Sequence, residues 1–156
     1  MEPQEILDRL KGEFGDQVGD LVDGLDPSIH VKAEAIAAIA RLMSDAADLK
    51  FESLMCLSGV DFPDHLTVVY HLFSTAHRHK IVLKADVGRE DPHVPTVEHI
   101  WRVANWHERE TYDMYGIVFD GHSDLRRILC PEDWEGFPLR KDYEVQEFYR
   151  GIKVEV

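Results

Sequence analysis

Three histidines, His71, His77 and His79, fall around one expected hairpin, a grouping in which imidazole nitrogens could hold a transition metal. The surrounding residues argue otherwise. His77-Arg78-His79 lies in an expected turn beside Lys80, no carboxylate stands at ligand spacing, and the H-E-x-x-H pattern is absent. These histidines therefore read as solvated turn residues. His107-Glu108-Arg109-Glu110 starts like a zinc helix but has Thr111 where the second histidine would be. Glu108 with Tyr112, or Glu110 with Asp113, offers paired groups for acid–base work, yet carboxylates on a helix surface ordinarily meet arginine or water. Cys56 and Cys130 form no C-x-x-C and read as buried free thiols. G-x-G-x-x-G, G-x-x-x-x-G-K-[ST] and G-x-S-x-G do not occur, which removes the main supports for nucleotide binding and serine hydrolysis.

The elements that must position these residues belong to one domain, given 156 residues of ordinary globular composition. A formal net charge of −13 offers no basic field to nucleic acid or anionic lipid. The longest apolar run, Ala35 to Ala40, is far short of the ~20 residues a spanning helix needs. The start, Met1-Glu2-Pro3-Gln4-Glu5, resembles neither a secretory signal nor a transit peptide, so a cytosolic, bacterial address is expected.

Ile6, Leu7, Leu10 and Phe14 recur at helical spacing and predict a helix from Pro3 to Glu13, closed by Gly15. Val18 to Leu25 and Ile29 to Val31 are strand candidates. Ile36, Ile39, Ala40 and Met43 form one stripe within a helix expected over Lys32 to Asp45. Phe51 to Val60, Leu66 to Phe73 and His79 to Val87 read as consecutive antiparallel strands, the last alternating apolar with charged residues. Gly88 to Pro95 reads as a polar loop. Thr96 is expected to cap a further helix that restarts at an Asn105/Glu108 capping box and runs to Tyr115, with Gly116 as its left-handed stop. Ile117 to Phe119 adds a short strand. The order predicts an α+β class: a two-layer single domain with a mixed or antiparallel sheet of about five strands covered by helices, over residues 1–116. Residues 117–156 are expected to be an irregular, interface-forming extension of the same unit.

More than half of the chain's aromatic side chains fall between Trp101 and Tyr143, among them Trp106, Tyr112, Tyr115, Phe119, Trp134 and Phe137, interleaved with Arg102, Arg109, Arg126, Arg127 and Arg140. Aromatics with arginine are the types enriched in protein interfaces.

Within this block, Glu108-Arg109-Glu110-Thr111-Tyr112-Asp113-Met114-Tyr115-Gly116-Ile117 and Gly121-His122-Ser123-Asp124-Leu125-Arg126-Arg127-Ile128-Leu129 closely resemble the hallmark of one family, the C subunits of bacterial NADH-quinone oxidoreductase, respiratory complex I. Pro131 to Gly136 and Pro138-Leu139-Arg140-Lys141-Asp142-Tyr143 resemble that family's closing motif. Two loops depart from its usual Gly-His-Pro: Gly121-His122-Ser123, which regains a backbone N–H at Ser123, and Gly136-Phe137-Pro138, which loses a histidine.

The resemblance implies a non-redox, peripheral-arm subunit that carries no cofactor and no catalytic site. FMN and iron–sulfur clusters would then sit in partner subunits, while this chain scaffolds the quinone-site (D) and cluster-bearing (B and I) subunits for NADH-to-quinone electron transfer coupled to proton translocation. It also implies a peripheral location on the cytoplasmic side of the inner membrane, reached only through the complex. The expected partner-facing residues are Glu108, Arg109, Glu110, Tyr112, Tyr115, His122, Arg126, Arg127, Trp134, Arg140, Lys141 and Tyr143. Competing readings are a homologous subunit of a membrane-bound hydrogenase or related quinone- or ferredoxin-linked complex, a free-standing metal hydrolase on the histidine hairpin, and a stand-alone binding module.

Overall fold

The computed structural model describes residues 1–154. Helix α1 (Pro3–Phe14) starts on Pro3, whose fixed φ suits a first helical position, and the Glu2 N–H donates to the Glu5 carboxylate at 2.8 Å. Its Ile6, Leu7 and Leu10 are buried. Strands β1 (Val18–Val22) and β2 (Ser28–Lys32) follow, and β1 stops three residues short of the expected end because Asp23 to Pro27 turn the chain. Lys32 pairs with Asp86 in the ladder, so α2 (Ile36–Asp45) begins only after the short 3-10 turn Ala33–Ala35. The stripe Ile36, Ile39, Ala40 and Met43 is buried as its spacing predicts.

Three long strands, β3 (Ser53–Asp61), β4 (His65–Ser74) and β5 (His79–Gly88), pair antiparallel in sequence, while β2 lies parallel to β5. The order β1-β2-β5-β4-β3 therefore makes a mixed five-stranded sheet with β3 at one edge. Ile29 and Val31, Val68, Tyr70 and Leu72, and Ile81, Leu83 and Ala85 share one face and meet the apolar sides of α1 and α2 in a single core. The expected two-layer α+β architecture is what forms.

The segment between β5 and the last helix departs from expectation. In place of a plain loop over 88–95, β6 (His93–Pro95) pairs parallel with β7 (Val118–Asp120), bringing the fully buried Val94 beside Phe119. No helix starts at Thr96: residues 97–103 make tight turns, and α3 runs only from Ala104 to Tyr115. Gly116, at φ 74°, supplies the left-handed stop. Beyond β7 the described residues are irregular apart from the hairpin β8 (Phe148–Tyr149) and β9 (Ile152–Lys153), turned by Arg150 and Gly151, both at positive φ.

The histidine hairpin is also corrected. His79 is buried, stacks on Phe51 with centroids 4.5 Å apart, and approaches the Leu49 carbonyl at 2.7 Å through Nε2. Burial pushes its pKa down. His77 Nε2 reaches the Ala47 carbonyl at 2.9 Å, so both rings hold the β4–β5 turn against the loop after α2. Cys56 and Cys130 are half-buried rather than enclosed.

Candidate functional site

Helix α3 carries charge inward. Glu108 and Asp113 are fully buried and Arg109 nearly so, an arrangement possible only if each finds partners. Five residues at about 100° each set Glu108 and Asp113 about 140° apart around the helix, so each addresses a different loop.

Glu108 reaches back to the chain before the helix. One carboxylate oxygen accepts the Val97 N–H at 2.8 Å and the other the Thr96 hydroxyl. The expected Asn105/Glu108 capping box is thereby replaced, since the Asn105 amide donates to Glu98 at 2.6 Å instead. Glu98 also accepts the Ser123 N–H at 2.5 Å and the Ser123 hydroxyl at 3.1 Å. Proline at position 123 would lack that N–H, so the departure from the family's usual loop is used by this chain. His122 has a fully enclosed side chain. Its Nδ1 accepts the Asp124 N–H at 3.0 Å, which assigns the proton to Nε2, facing the Asn105 carbonyl at 3.2 Å and lying 3.6 Å from Glu98.

Asp113 organises the extension. It pairs with Arg127 at 2.7 Å and accepts the backbone N–H groups of Ile128, Leu129 and Cys130 at 2.7–3.0 Å. Those donors overcome desolvation and hold its carboxyl below the usual range. Arg127 goes on to the Trp134 and Gly136 carbonyls and lies over the Phe137 ring. Arg140 covers the same ring and donates to the Tyr115 carbonyl at 2.6 Å. A fourth carboxylate, Asp61 at the end of β3, takes Arg89 and the Lys141 N–H at 2.7 Å.

The twelve expected partner-facing residues thus divide. Glu108, Arg109, Arg127 and Arg140 bond within the chain, Arg109 to the Arg126 and Arg127 carbonyls. His122 is enclosed, Tyr112, Tyr115, Trp134 and Tyr143 are half-buried, and Tyr115 packs over Gly59. Glu110, Arg126 and Lys141 are exposed, and among the described residues Arg126 meets only Asp124 through its guanidinium. Sequence reasoning missed Glu98 and Asp61 as hubs. It also takes Asp113 only for a surface acid, although aspartate inside a helix is disfavoured unless its side chain has work elsewhere. Exposed apolar groups, Trp106 (61%) under Arg109, Leu129 (63%) and Leu139 (54%), stand on or beside this framework. The arrangement holds an irregular segment in one shape and presents its outer side chains.

Burial lifts the Glu108 carboxyl to about 7 from its ordinary 4.5, against the Thr96 and Val97 donors. Between those two values the unfolded chain ionises while the folded chain keeps the proton, so folding stability falls as pH rises through that window. Asp61, Glu98 and Asp113 lie below their usual range, so their contributions are complete above about pH 4.5 and are lost below it. Maximum stability is therefore expected near pH 5. Glu108→Gln should flatten the decline from pH 5 to 8, worth at most about 3 kcal/mol; urea midpoints across that range decide it, and an unchanged slope in the variant overturns the assignment.

Comparisons with known proteins agree on one family. The model described as "Respiratory-chain NADH dehydrogenase, 30 Kd subunit" matches residues 29–149. The NADH-quinone oxidoreductase C subunit of Chloroherpeton thalassium is 53% identical over 98% of this chain, which spans 66% of that relative's length. The same-named protein of Chlorobium phaeobacteroides is 56% identical over 74% of this chain and 72% of its own. Among solved structures, the trypsin-resistant fragment (1-134) of Nqo5 superposes with a TM-score of 0.65 at 27% identity, covering 80% of this chain and all of that one. A chain of the membrane-bound sulfane sulfur reductase, an archaeal respiratory membrane complex, shares the fold with a TM-score of 0.74 at 23% identity, over 90% of this chain and 85% of its own. By the extent of these matches, the chain belongs to the respiratory-chain NADH dehydrogenase 30 kDa subunit family.

Proposed function

We propose that this chain is a non-redox, peripheral-arm subunit of an NADH-quinone oxidoreductase. It scaffolds neighbouring subunits and performs no catalytic step of its own. The observation that carries the reading is the match along residues 29–149, which takes in the sheet from β2 to β5 and most of the extension that α3 holds in place. The partners are the quinone-site (D) and cluster-bearing (B and I) subunits; FMN and iron–sulfur clusters belong to those and other partners. Electron transfer from NADH to quinone, coupled to proton translocation, is the work of the whole assembly. The chain sits peripherally on the cytoplasmic side of the inner membrane. Among the described residues no helix is long and apolar enough to cross a bilayer, in keeping with attachment through partners.

A rigid scaffold contributes by fixing the distance between redox centres, and buried, fully bonded carboxylates are a means of making irregular backbone rigid. The test is affinity recovery of the tagged chain from mildly solubilised membranes. Flavin, cluster and quinone-site subunits should come with it; hydrogenase subunits in their place would move the chain to a related assembly, and recovery alone would overturn the scaffold reading.

Arg126 and Arg140 separate docking from folding. Arg126→Ala should leave the isolated chain's melting temperature unchanged and weaken assembly, by about 2–5 kcal/mol if a partner carboxylate is left buried and unpaired. Arg140→Ala should destabilise the isolated chain first, because its guanidinium bonds the Tyr115 carbonyl and covers Phe137. Normal complex yield with Arg126→Ala would remove Arg126 from the interface.

A further inference from the structure

The extension carries an open cleft of about 630 Å³. Phe137, Tyr143 and Phe148 line it as aromatic surface, with Phe148 56% exposed, and Glu135, Glu144 and Glu147 line it as acid. Its other two charged groups are held in place, Asp142 in an ion pair and Arg140 with its charge intact. Arg140 is held by the Tyr115 carbonyl and the Phe137 ring, and Asp142 pairs with Arg89 at 3.1 Å. Glu135, Glu144 and Glu147 make no ion pair among the described residues, so three carboxylates stand against the single guanidinium of Arg140 and the lining is net negative around its aromatic surface.

Two costs coincide there: like charges repel at close quarters, and exposed aromatic surface is hydrated. One kind of occupant relieves both. A guanidinium or ammonium neutralises the rim while its alkyl stem and π-face lie on the Tyr143 and Phe148 rings. A carboxylate-bearing segment would add to the repulsion, and a purely apolar one would leave three carboxylates partly desolvated and unpaired.

We propose that this cleft receives an arginine- or lysine-bearing segment of a neighbouring protein in the complex. The chain would then act as acceptor of a partner's cations here, the opposite polarity to docking through its own arginines. The inference rests on the scaffold reading above.

The test uses the full chain in the assembled complex. A triple substitution, Glu135→Gln, Glu144→Gln and Glu147→Gln, removes the rim charge; a control, Asp16→Asn, Asp23→Asn and Glu34→Gln, removes the same charge from exposed positions on the far part of the chain. The isolated variants should melt as wild type does. In affinity recovery at about 0.15 M salt, the rim variant should retain about tenfold less of its neighbours and the control should match wild type, with the difference shrinking as salt is raised. Equal recovery of rim variant and wild type overturns the proposal, as does equal loss in rim variant and control, which would make the effect one of net charge. A wild-type chain that recovers no neighbours overturns the scaffold reading and this one with it, so the two failures are distinct.

Discussion

Asp113→Ala is expected to lower the folding free energy by about 3–5 kcal/mol, the cost of leaving a buried ion unpaired together with unbonded backbone donors. Four donors converge on that carboxylate: the Arg127 guanidinium and the N–H groups of Ile128, Leu129 and Cys130. The loss would be a large share of a single domain's stability of about 5–15 kcal/mol. Asp113→Asn keeps one carbonyl acceptor but removes the charge opposite Arg127, so its cost should fall between alanine and wild type. Urea unfolding gives the magnitude, and amide exchange at residues 128–130 gives the location. A loss below about 1 kcal/mol in Asp113→Ala, with exchange at those amides unchanged, would show that the loop holds its shape without the carboxylate. If the loop loosens while the sheet stays protected, the variant should also fail to enter the complex, because the extension would no longer present fixed side chains.

The sheet and the two early helices were legible because each rests on a short-range pattern. Ile81, Leu83, Ala85 and Val87 alternate, and Ile36, Ile39, Ala40 and Met43 repeat at helical spacing, and in both cases the buried face is the one the period indicates. The parallel pairing of β2 with β5 carries no local signal, since it joins strands far apart in the chain. The β6–β7 pair was hidden for a similar reason: three residues on each side are too few to show alternation. The family was legible in the block from Glu108 to Tyr143, but the work of its charged residues was not. Asn105 and Glu108 have capping-box spacing, yet Glu108 bonds Thr96 and Val97, well before the helix begins, and Asn105 turns to Glu98. A local rule assigns side chains to their own helix; burial in the folded chain turned Glu108 to loop donors and Asn105 to a loop acceptor. Arg127 and Arg140, which from sequence look like exposed forks, hold the Phe137 ring between them.

That ring makes Gly116→Ala the other large effect, for two reasons that can be separated. Gly116 sits at φ 74°, where a side chain costs about 1–2 kcal/mol. A Cβ there would also lie 2.5 Å from Phe137 Cε2 and 2.7 Å from Cδ2 and Cζ, closer than carbon atoms approach. The ring cannot simply slide aside, because Arg127 and Arg140 stand 5.3 and 5.2 Å from its centroid and Tyr112 meets it edge-on at 6.3 Å. Overpacking of this kind costs about 1–3 kcal/mol, so the total should reach about 2–5 kcal/mol. Phe137→Ala opens the space that the new methyl needs. In that background Gly116→Ala should cost only the backbone share, and the double-mutant cycle should show coupling of about 1–3 kcal/mol. Strict additivity would place the whole penalty in φ and remove Phe137 as a brace. Coupling of the expected size, read from urea midpoints of the four proteins, would establish that the end of α3 and the closing motif are packed as one piece, the condition for an irregular tail to serve as a docking surface.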